Sequence, residues 1–449
     1  MAYADLREFM SALEKQGELQ RIKADVDWDE EMGAVSRRAI DLRAPAPLFE
    51  KAKGYPAGYQ VLGIPLGPSK PSLQARVGIA LGCPKDTAAL DLIQLYRDRI
   101  GNLVKPVLVS SAPSKEVIMK GDDVDVLKLP IPRIHGLDGG RYVGTWDIVI
   151  TKDPDTGWVN WGTYRSMVHD SKHLCILLIP ADQHGGAMFF RKFESRGKPM
   201  PMAIVQGTEP VSTLVSISPL AYGVSEVDAA GGVRGEPVPM VKCETVDLEV
   251  PATAEIVFEG EVIPGKRVPE GPFGEYTGHA VHSGTTPVMR VTCITHRKNP
   301  IQTMANMGKP WDDAAVPQSI VMSAMIGKHL QDNGVAFKAA YQHAPATSIF
   351  ISIPSRPGLA RKLVSTLMAG WRTGYQYVVL VDEDVDVTSL EDVWWAISTR
   401  MHPKNGISVL DRVEANTLIP FLTPEERQRH ETCMAVLDAT FPTDRKSVV

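Results

Sequence analysis

Two glutamates lie five residues apart in Glu270-Gly-Pro-Phe-Gly-Glu275-Tyr-Thr-Gly278, with two glycines, a proline and one aromatic between them. A regular helix is excluded, because Gly271, Pro272 and Gly274 each oppose one. The segment reads as a tight, stiffened loop after a strand, able to hold two acids close together without solvating both. Crowded carboxylates push each other's pKa apart, leaving one ionised and one able to give up a proton. A surface turn with two solvated glutamates has the same spacing. Three segments upstream also carry polar chemistry: Asn160-Trp-Gly-Thr-Tyr-Arg165 after an apolar run, Gln183-His184, and Pro219-Leu-Ala-Tyr-Gly-Val-Ser-Glu226. Asn, His and Glu are oxygen and nitrogen donors that suit Mn²⁺ or Mg²⁺ better than a thiolate-bound metal. Taken singly, a histidine is more often a core or surface residue, and an arginine after a strand is usually solvated. The order of all four segments is what makes them a candidate site.

The elements that must position these residues fall into three stretches. At 449 residues the chain is too long for one ordinary core. From 1 to 115 it reads as an α/β unit. A helix over 4–16 buries Leu6, Phe9, Met10 and Leu13 and ends at Gly17, and a second helix follows Asp27. Turns and short strands fill Pro45 to Pro71, and Asp86-Thr87 caps a helix with Ala89, Leu92, Ile93 and Tyr96 on its apolar face. From 116 to 310 the short runs Trp146–Thr151, Cys175–Ile179, Met202–Gln206, Val246–Val250, Glu255–Val262 and Val288–Thr295 predict a β-rich barrel or sandwich. From 311 to 449 helical and strand patterns alternate: a helix after Val316, a strand at Ser348–Ile353, a helix near Leu359–Ala369, a strand at Tyr377–Val381 and a helix over Ser389–Arg400. Thr423-Pro-Glu-Glu predicts a cap, and the tail to about Ala439 is read as a C-terminal helix.

Composition narrows the function. Hydrophobic residues make up 44% and charged residues 22% of the chain, as in ordinary globular enzymes. The net charge of −5 gives no basic face for nucleic acid. No uncharged apolar run reaches the about 18 residues of a membrane span, and the N-terminus has no apolar signal segment. Cys83, Cys175, Cys243, Cys293 and Cys433 form no Cys-x-x-Cys pair, so neither a zinc ribbon nor a disulfide framework is indicated, and a reducing cytoplasm is the expected home.

Nearly the whole chain resembles the UbiD-type reversible decarboxylases, which use prenylated flavin mononucleotide. The likeness runs through Asp5-Leu-Arg-Glu-Phe, Gln16-Gly-Glu-Leu, Ala44-Pro-Ala-Pro-Leu-Phe, Asp138-Gly-Gly-Arg-Tyr, Val381-Asp-Glu-Asp-Val-Asp and Val393-Trp-Trp-Ala-Ile-Ser-Thr-Arg400. The four polar segments match the family's motifs in order, and Glu-Gly-Pro-Phe-Gly-Glu is the most specific of them.

The resemblance implies a mixed α/β fold: an N-terminal α/β unit, a split β-barrel carrying the cofactor, and a C-terminal α/β domain that mediates oligomerisation as a homodimer or homohexamer. It implies a Mn²⁺ site of Asn160, His184 and Glu226 bridging to the flavin phosphate, with K⁺ as a second cation. Cofactor-binding positions would be Asn160, Trp161, Gly162, Thr163, Tyr164, Arg165, Gln183, His184, Pro219 and Glu226, with Arg372 near a cofactor-contacting lysine of some members. Arg165, Glu270 and Glu275 match a catalytic network in which Arg165 keeps Glu270 ionised and Glu275 donates the proton after CO₂ leaves. A UbiX-type flavin prenyltransferase would supply the cofactor. Gly162 stands where some members have Ser, and Thr163-Tyr164 and Tyr276 replace apolar groups of the cinnamate-type enzymes, so the expected substrate is a more polar aromatic or heteroaromatic acid. Two other classes stay open. A flavin oxidoreductase on a similar split barrel would need no Glu–Arg–Glu network, and a non-catalytic carboxylase subunit should have lost Glu275 or a metal ligand.

Overall fold

The computed structural model describes residues 3–179, 185–281, 284–344, 347–370 and 375–441. The chain divides into two compact units: Met1–Thr87 with Arg99–Gly308 and Asp312–Ala314, and Ala88–Asp98 with Lys309–Trp311 and Ala315–Val449. It has the mixed α/β architecture with a half-barrel that the sequence leads one to expect. Among the described residues no helix is long and apolar enough to cross a membrane.

In the first unit the helix Leu6–Lys15 is capped by the Asp5 carboxylate, which accepts from the Glu8 N–H, and buries Leu6, Phe9, Met10 and Leu13. A four-stranded sheet runs Leu19–Val26, Ala46–Ala52, Gln60–Gly63 and then Ile301–Met304. The last strand comes from the far end of the stretch read as barrel, and it pairs parallel to Gln60–Gly63. The half-barrel is a nine-stranded sheet. Along its path lie Tyr142–Gly144, Ser166–Asp170, His173–Ile176, Gly284–His296, Ile256–Glu270, Met200–Gln206, Asp147–Lys152 and Val159–Gly162, and Val117–Lys120 pairs beside Gly284–His296. Alternate residues of these strands, among them Val149, Leu174, Ile204, Phe258 and Met289, form one core that Phe189 and Phe190 of the helix Gly185–Ser195 cover. The two strand ends that matter for the site are Val159–Gly162, followed at once by Arg165, and the long strand Ile256–Glu270, whose last residue is Glu270.

In the second unit a five-stranded sheet runs Ala339–His343, Ser348–Ile353, Tyr377–Asp382, Glu431–Asp438, Ile407–Glu414. The helices Ala315–Asp332 and Leu359–Gly370 pack on it through Ile326, Leu330, Leu363 and Leu367. The expected C-terminal helix is corrected here. The Thr423 cap is present, with Glu426 returning its carboxylate to the Thr423 N–H, but the helix covers only Pro424–Arg429. His430 turns left-handed at φ 54°, and Glu431–Asp438 is a strand parallel to Tyr377–Asp382. Thr432, Met434 and Val436 are its buried residues, a period of two that suits a strand and not a helix.

Candidate active site

The two acids of the Glu270–Gly278 segment meet one arginine. Glu270 ends its strand, Gly271 takes φ 85° and turns the chain, and Phe273–Gly274 pairs with Ala280–Val281. The turn closes through the Glu275 N–H to His279 O at 3.0 Å and the Gly278 N–H to Glu275 O at 2.9 Å. From the other side, Arg165 donates its Nε to Glu270 Oε1 at 3.0 Å and its Nη2 to Glu270 Oε2 at 2.8 Å. Its Nη1 donates to Glu275 Oε1 at 2.6 Å. The guanidinium also lies 5.1 Å from the centre of the Phe273 ring. The side chains of Arg165, Glu270 and Glu275 are 4%, 0% and 5% exposed, so water does not screen the cluster.

One cation and two buried carboxylates leave an excess negative charge that a single proton removes. Arg165 cannot release a proton near neutral pH, and burial, which opposes its charge, is outweighed by the two carboxylates, so its pKa stands above the ordinary arginine value. Glu270 accepts two guanidinium N–H groups and the Tyr142 hydroxyl at 2.8 Å. Glu275 accepts one guanidinium N–H and a longer contact from the Tyr276 N–H at 3.3 Å. The acid with fewer donors is the better placed of the two to hold the proton. In agreement, burial and, to a lesser degree, Glu270 push the Glu275 pKa above the ordinary carboxylate value in spite of Arg165. The arrangement is an acid of raised pKa held against a fixed cation.

A second cluster forms at the other end of the Asn160–Arg165 segment. Glu226 opens the helix Glu226–Arg234 and accepts the Trp161 N–H at 2.9 Å and the Asn160 Nδ2–H at 3.3 Å. Burial pushes its pKa up to about 7. Asn160 Oδ1 is buried and accepts no hydrogen bond among the described residues. Gly185 abuts that oxygen so closely that a Cβ there would collide with it. A buried carboxylate beside an orphaned amide oxygen fits a hard divalent cation, which would satisfy both. Among the described residues no group of three or more His, Cys, Asp or Glu side chains converges as a metal site. The expected third ligand His184, with Gln183 and Arg372, lies outside the described residues.

The remaining expected positions are placed as follows. Trp161 is buried. The Thr163 hydroxyl lies 3.1 Å from Asp147 O, to which it donates, and 3.2 Å from Ser216 Oγ. Pro219 stands between the helices Pro210–Ser216 and Glu226–Arg234. Tyr164 accepts the Gly186 N–H at 3.2 Å, and burial pushes its pKa up to about 12, so the phenol keeps its proton. Its ring fills the space beside Gly162, where a Cβ would meet ring atoms at 2.7 and 2.8 Å. The glycine and the tyrosine therefore go together: a serine at 162 would displace this ring.

Tyr142, His135 and Asp138 carry the site from behind and were not assigned roles from sequence. Tyr142 packs on Phe273 with ring centres 4.4 Å apart while bonding Glu270. Asp138 Oδ1 accepts the Gly274 N–H at 2.9 Å, and the Gly139 N–H reaches Pro272 O at 2.8 Å. The run Asp138-Gly-Gly-Arg-Tyr142, as part of the family likeness, was the one visible trace of Asp138 and Tyr142, and His135 left none.

With this geometry in place, comparison with known proteins is direct. The chain matches the N-terminal domain of 3-octaprenyl-4-hydroxybenzoate carboxy-lyase over residues 10–96, its Rift-related domain over 105–310 and its C-terminal domain over 315–439. It is 34% identical over 456 residues to a phenolic acid decarboxylase of Bacillus subtilis, with 98% of this chain and 93% of that one covered. It is 30% identical over 455 residues to a pyrrole-2-carboxylic acid decarboxylase of Pseudomonas aeruginosa, covering 98% and 91%. Among solved structures it superposes on the vanillic acid decarboxylase of Sedimentibacter hydroxybenzoicus in closed form with a TM-score of 0.91 and 31% identity, covering 100% of this chain and 96% of that one. It also superposes on an evolved dimeric form of the UbiD-class enzyme HmfF from Pelotomaculum thermopropionicum in complex with prFMN, with a TM-score of 0.84 and 29% identity, over 100% and 97% of the two chains. Three domain matches in order, near-complete coverage and a shared fold lead to one conclusion: the chain belongs to the UbiD family of carboxy-lyases.

Proposed function

We propose that this protein is a reversible, non-oxidative decarboxylase of an aromatic or heteroaromatic acid that works with prenylated FMN. The observation that carries the reading is the buried Glu270–Arg165–Glu275 cluster, in which Arg165 holds two carboxyl groups and burial raises the pKa of Glu275. When bound, prenylated FMN supplies the electron sink that the carbon–carboxylate bond needs in order to break. The protein's own groups do the rest. Arg165 attracts and orients the substrate carboxylate and holds Glu270 through two hydrogen bonds. As CO₂ leaves, the electron pair it leaves on carbon takes the proton of Glu275, and water reprotonates the Glu275 carboxylate. In the carboxylation direction the same carboxylate removes that proton. Asn160 and Glu226, with His184, would hold Mn²⁺, which neutralises phosphate charge, and K⁺ would accompany it. Trp161 to Thr163, Gln183, Pro219 and Arg372 are the proposed remaining cofactor contacts.

The Tyr164 phenol, neutral and able to donate, and the buried Tyr276 favour a ring that carries a polar substituent. The relatives named for phenolic, pyrrole-2-carboxylic and vanillic acids point the same way. The test is CO₂ release from a panel of hydroxylated, heteroaromatic and plain cinnamic acids. Protein produced with and without a co-expressed flavin prenyltransferase is compared, with Mn²⁺ added. Turnover is expected only with the prenylated cofactor, and polar-ring acids should outrun cinnamate. Equal turnover after removal of cofactor and metal would refute the reading, and a clear preference for cinnamate would refute the substrate class.

A further inference from the structure

His135 sits where both of its ring nitrogens face acceptors. Nδ1 lies 3.1 Å from each carboxylate oxygen of Asp138, and Nε2 lies 2.8 Å from the Met307 carbonyl oxygen. A neutral imidazole has one N–H and can serve one of these. Only the imidazolium, with two, serves both. The next neighbour is again an acceptor, the buried side chain of Asn306. Burial alone would disfavour the charge, but Asp138, Met307 and Asn306 outweigh it, and the His135 pKa stands above the ordinary histidine value.

The pair bears directly on the acid turn. Asp138 holds the His135 N–H at 2.9 Å through Oδ2 and the Gly274 N–H at 2.9 Å through Oδ1. A Cβ at Gly274 would collide with His135 Nδ1, and one at Gly139 would collide with the Gly271 carbonyl, so the two segments touch backbone to ring and backbone to backbone. The Phe273 ring stands edge-on to His135, at 6.0 Å between centres. Other charges are placed around the pair. Arg133 acts on Asp138 from the side of its own segment. Asp313 holds the Asn306 N–H from behind. Tyr142, Arg165, Glu270 and Glu275 lie beyond Phe273 on the far side of the turn.

We propose that His135, as an imidazolium locked to Asp138, is a positioning residue that holds the 271–278 turn in place and with it the proton donor Glu275, and that deprotonation of His135 releases the turn. The role rests on the reading of Glu275 as the donor, but the brace itself is measured without turnover. The sign follows from the charge. Below the raised His135 pKa both acceptors are served and the turn is held. As pH rises through that value one N–H is lost, Asp138 or Met307 is left unserved, and the hold weakens.

The test is hydrogen exchange read by mass spectrometry on the holoenzyme, following the peptide that spans 270–278 across a pH series and correcting for intrinsic exchange rates. Wild-type protein should lose protection in this peptide by roughly tenfold as pH rises past the ordinary histidine range, the scale of one buried hydrogen bond. The same loss should appear in Glu275→Gln, which removes the ionisation of Glu275 as its cause. His135→Gln has one fixed donor group and no titration, so its protection should be low and flat with pH. Protection in the wild type that does not change with pH, or a His135→Gln variant that responds like wild type, would overturn the proposal. Retained decarboxylation in Glu275→Gln with the exchange pattern intact would count against the assignment of Glu275 and leave the brace standing.

Discussion

Replacing Glu275 by glutamine keeps the side-chain size and one acceptor for Arg165 while removing the acid. Decarboxylation and solvent-deuterium incorporation into product should both fall by about 10²–10⁴-fold, the range for loss of one acid–base group. The absorbance of the bound flavin should be unchanged, because Asn160 and Glu226 are untouched. Near wild-type turnover in Glu275→Gln would mean that water or another group delivers the proton. The pH dependence has a sign of its own. Burial raises the Glu275 pKa, so the donor form is present below that value and is lost as pH rises through it. Decarboxylation in wild type should therefore decline on the alkaline side, and a flat profile there would contradict the role. At this scale the sequence was informative about the acids and the arginine and uninformative about their supports. Tyr142 and Glu270 are 128 residues apart, and no local pattern announces a hydrogen bond over that separation.

Within the barrel, the strand Asp147–Lys152 carries a buried carboxyl group. Among the described residues neither Asp147 oxygen has a hydrogen-bond partner, and Oδ2, Tyr164 O and Ser166 Oγ crowd around Gly144. Burial raises the Asp147 pKa well above the ordinary value. A folded-state pKa above the unfolded one stabilises the fold at low pH, and that contribution drains away as pH climbs from the unfolded value of about 3.9 toward the folded one. Asp147→Asn cannot ionise. Its thermal midpoint, followed from about pH 4 upward, should fall less steeply than that of wild type; parallel curves would show that Asp147 does not titrate against folding. Elements with strong periodicity were legible: the helices Leu6–Lys15 and Leu390–Arg400 lie within the ranges predicted for them. The C-terminal tail was misjudged because Thr423-Pro-Glu-Glu is a genuine helix start, and a cap says where a helix begins and not how far it runs. Tertiary pairing with Tyr377–Asp382 decided the rest.

For the molecule as a whole, the helix Leu390–Arg400 presents Leu390, Trp394 and Trp395 at 53%, 65% and 43% exposure. Large apolar side chains left exposed on one helix are candidates for an interface, and the proposed occupant is a second copy of this chain, as the family likeness implies for the C-terminal domain. Trp394→Glu should lower the mass measured by light scattering while the flavin stays bound; an unchanged mass would place the oligomer contact elsewhere. The strand Ile301–Met304 has a different kind of consequence, one of timing. Gln60–Gly63 leaves the ribosome long before the strand that is to lie beside it. Val61 and Leu62 are both fully buried in the finished protein, and throughout that interval the strand that carries them should form an unpaired sheet edge. Nascent chains arrested before residue 301 should be cut by protease within 46–63, and chains long enough to free residue 304 from the ribosome should resist. Equal resistance at both lengths would show that the first sheet closes without its last strand. If it does not, this protein cannot fold in the order in which it is made: its beginning waits for a segment two-thirds of the way along the chain.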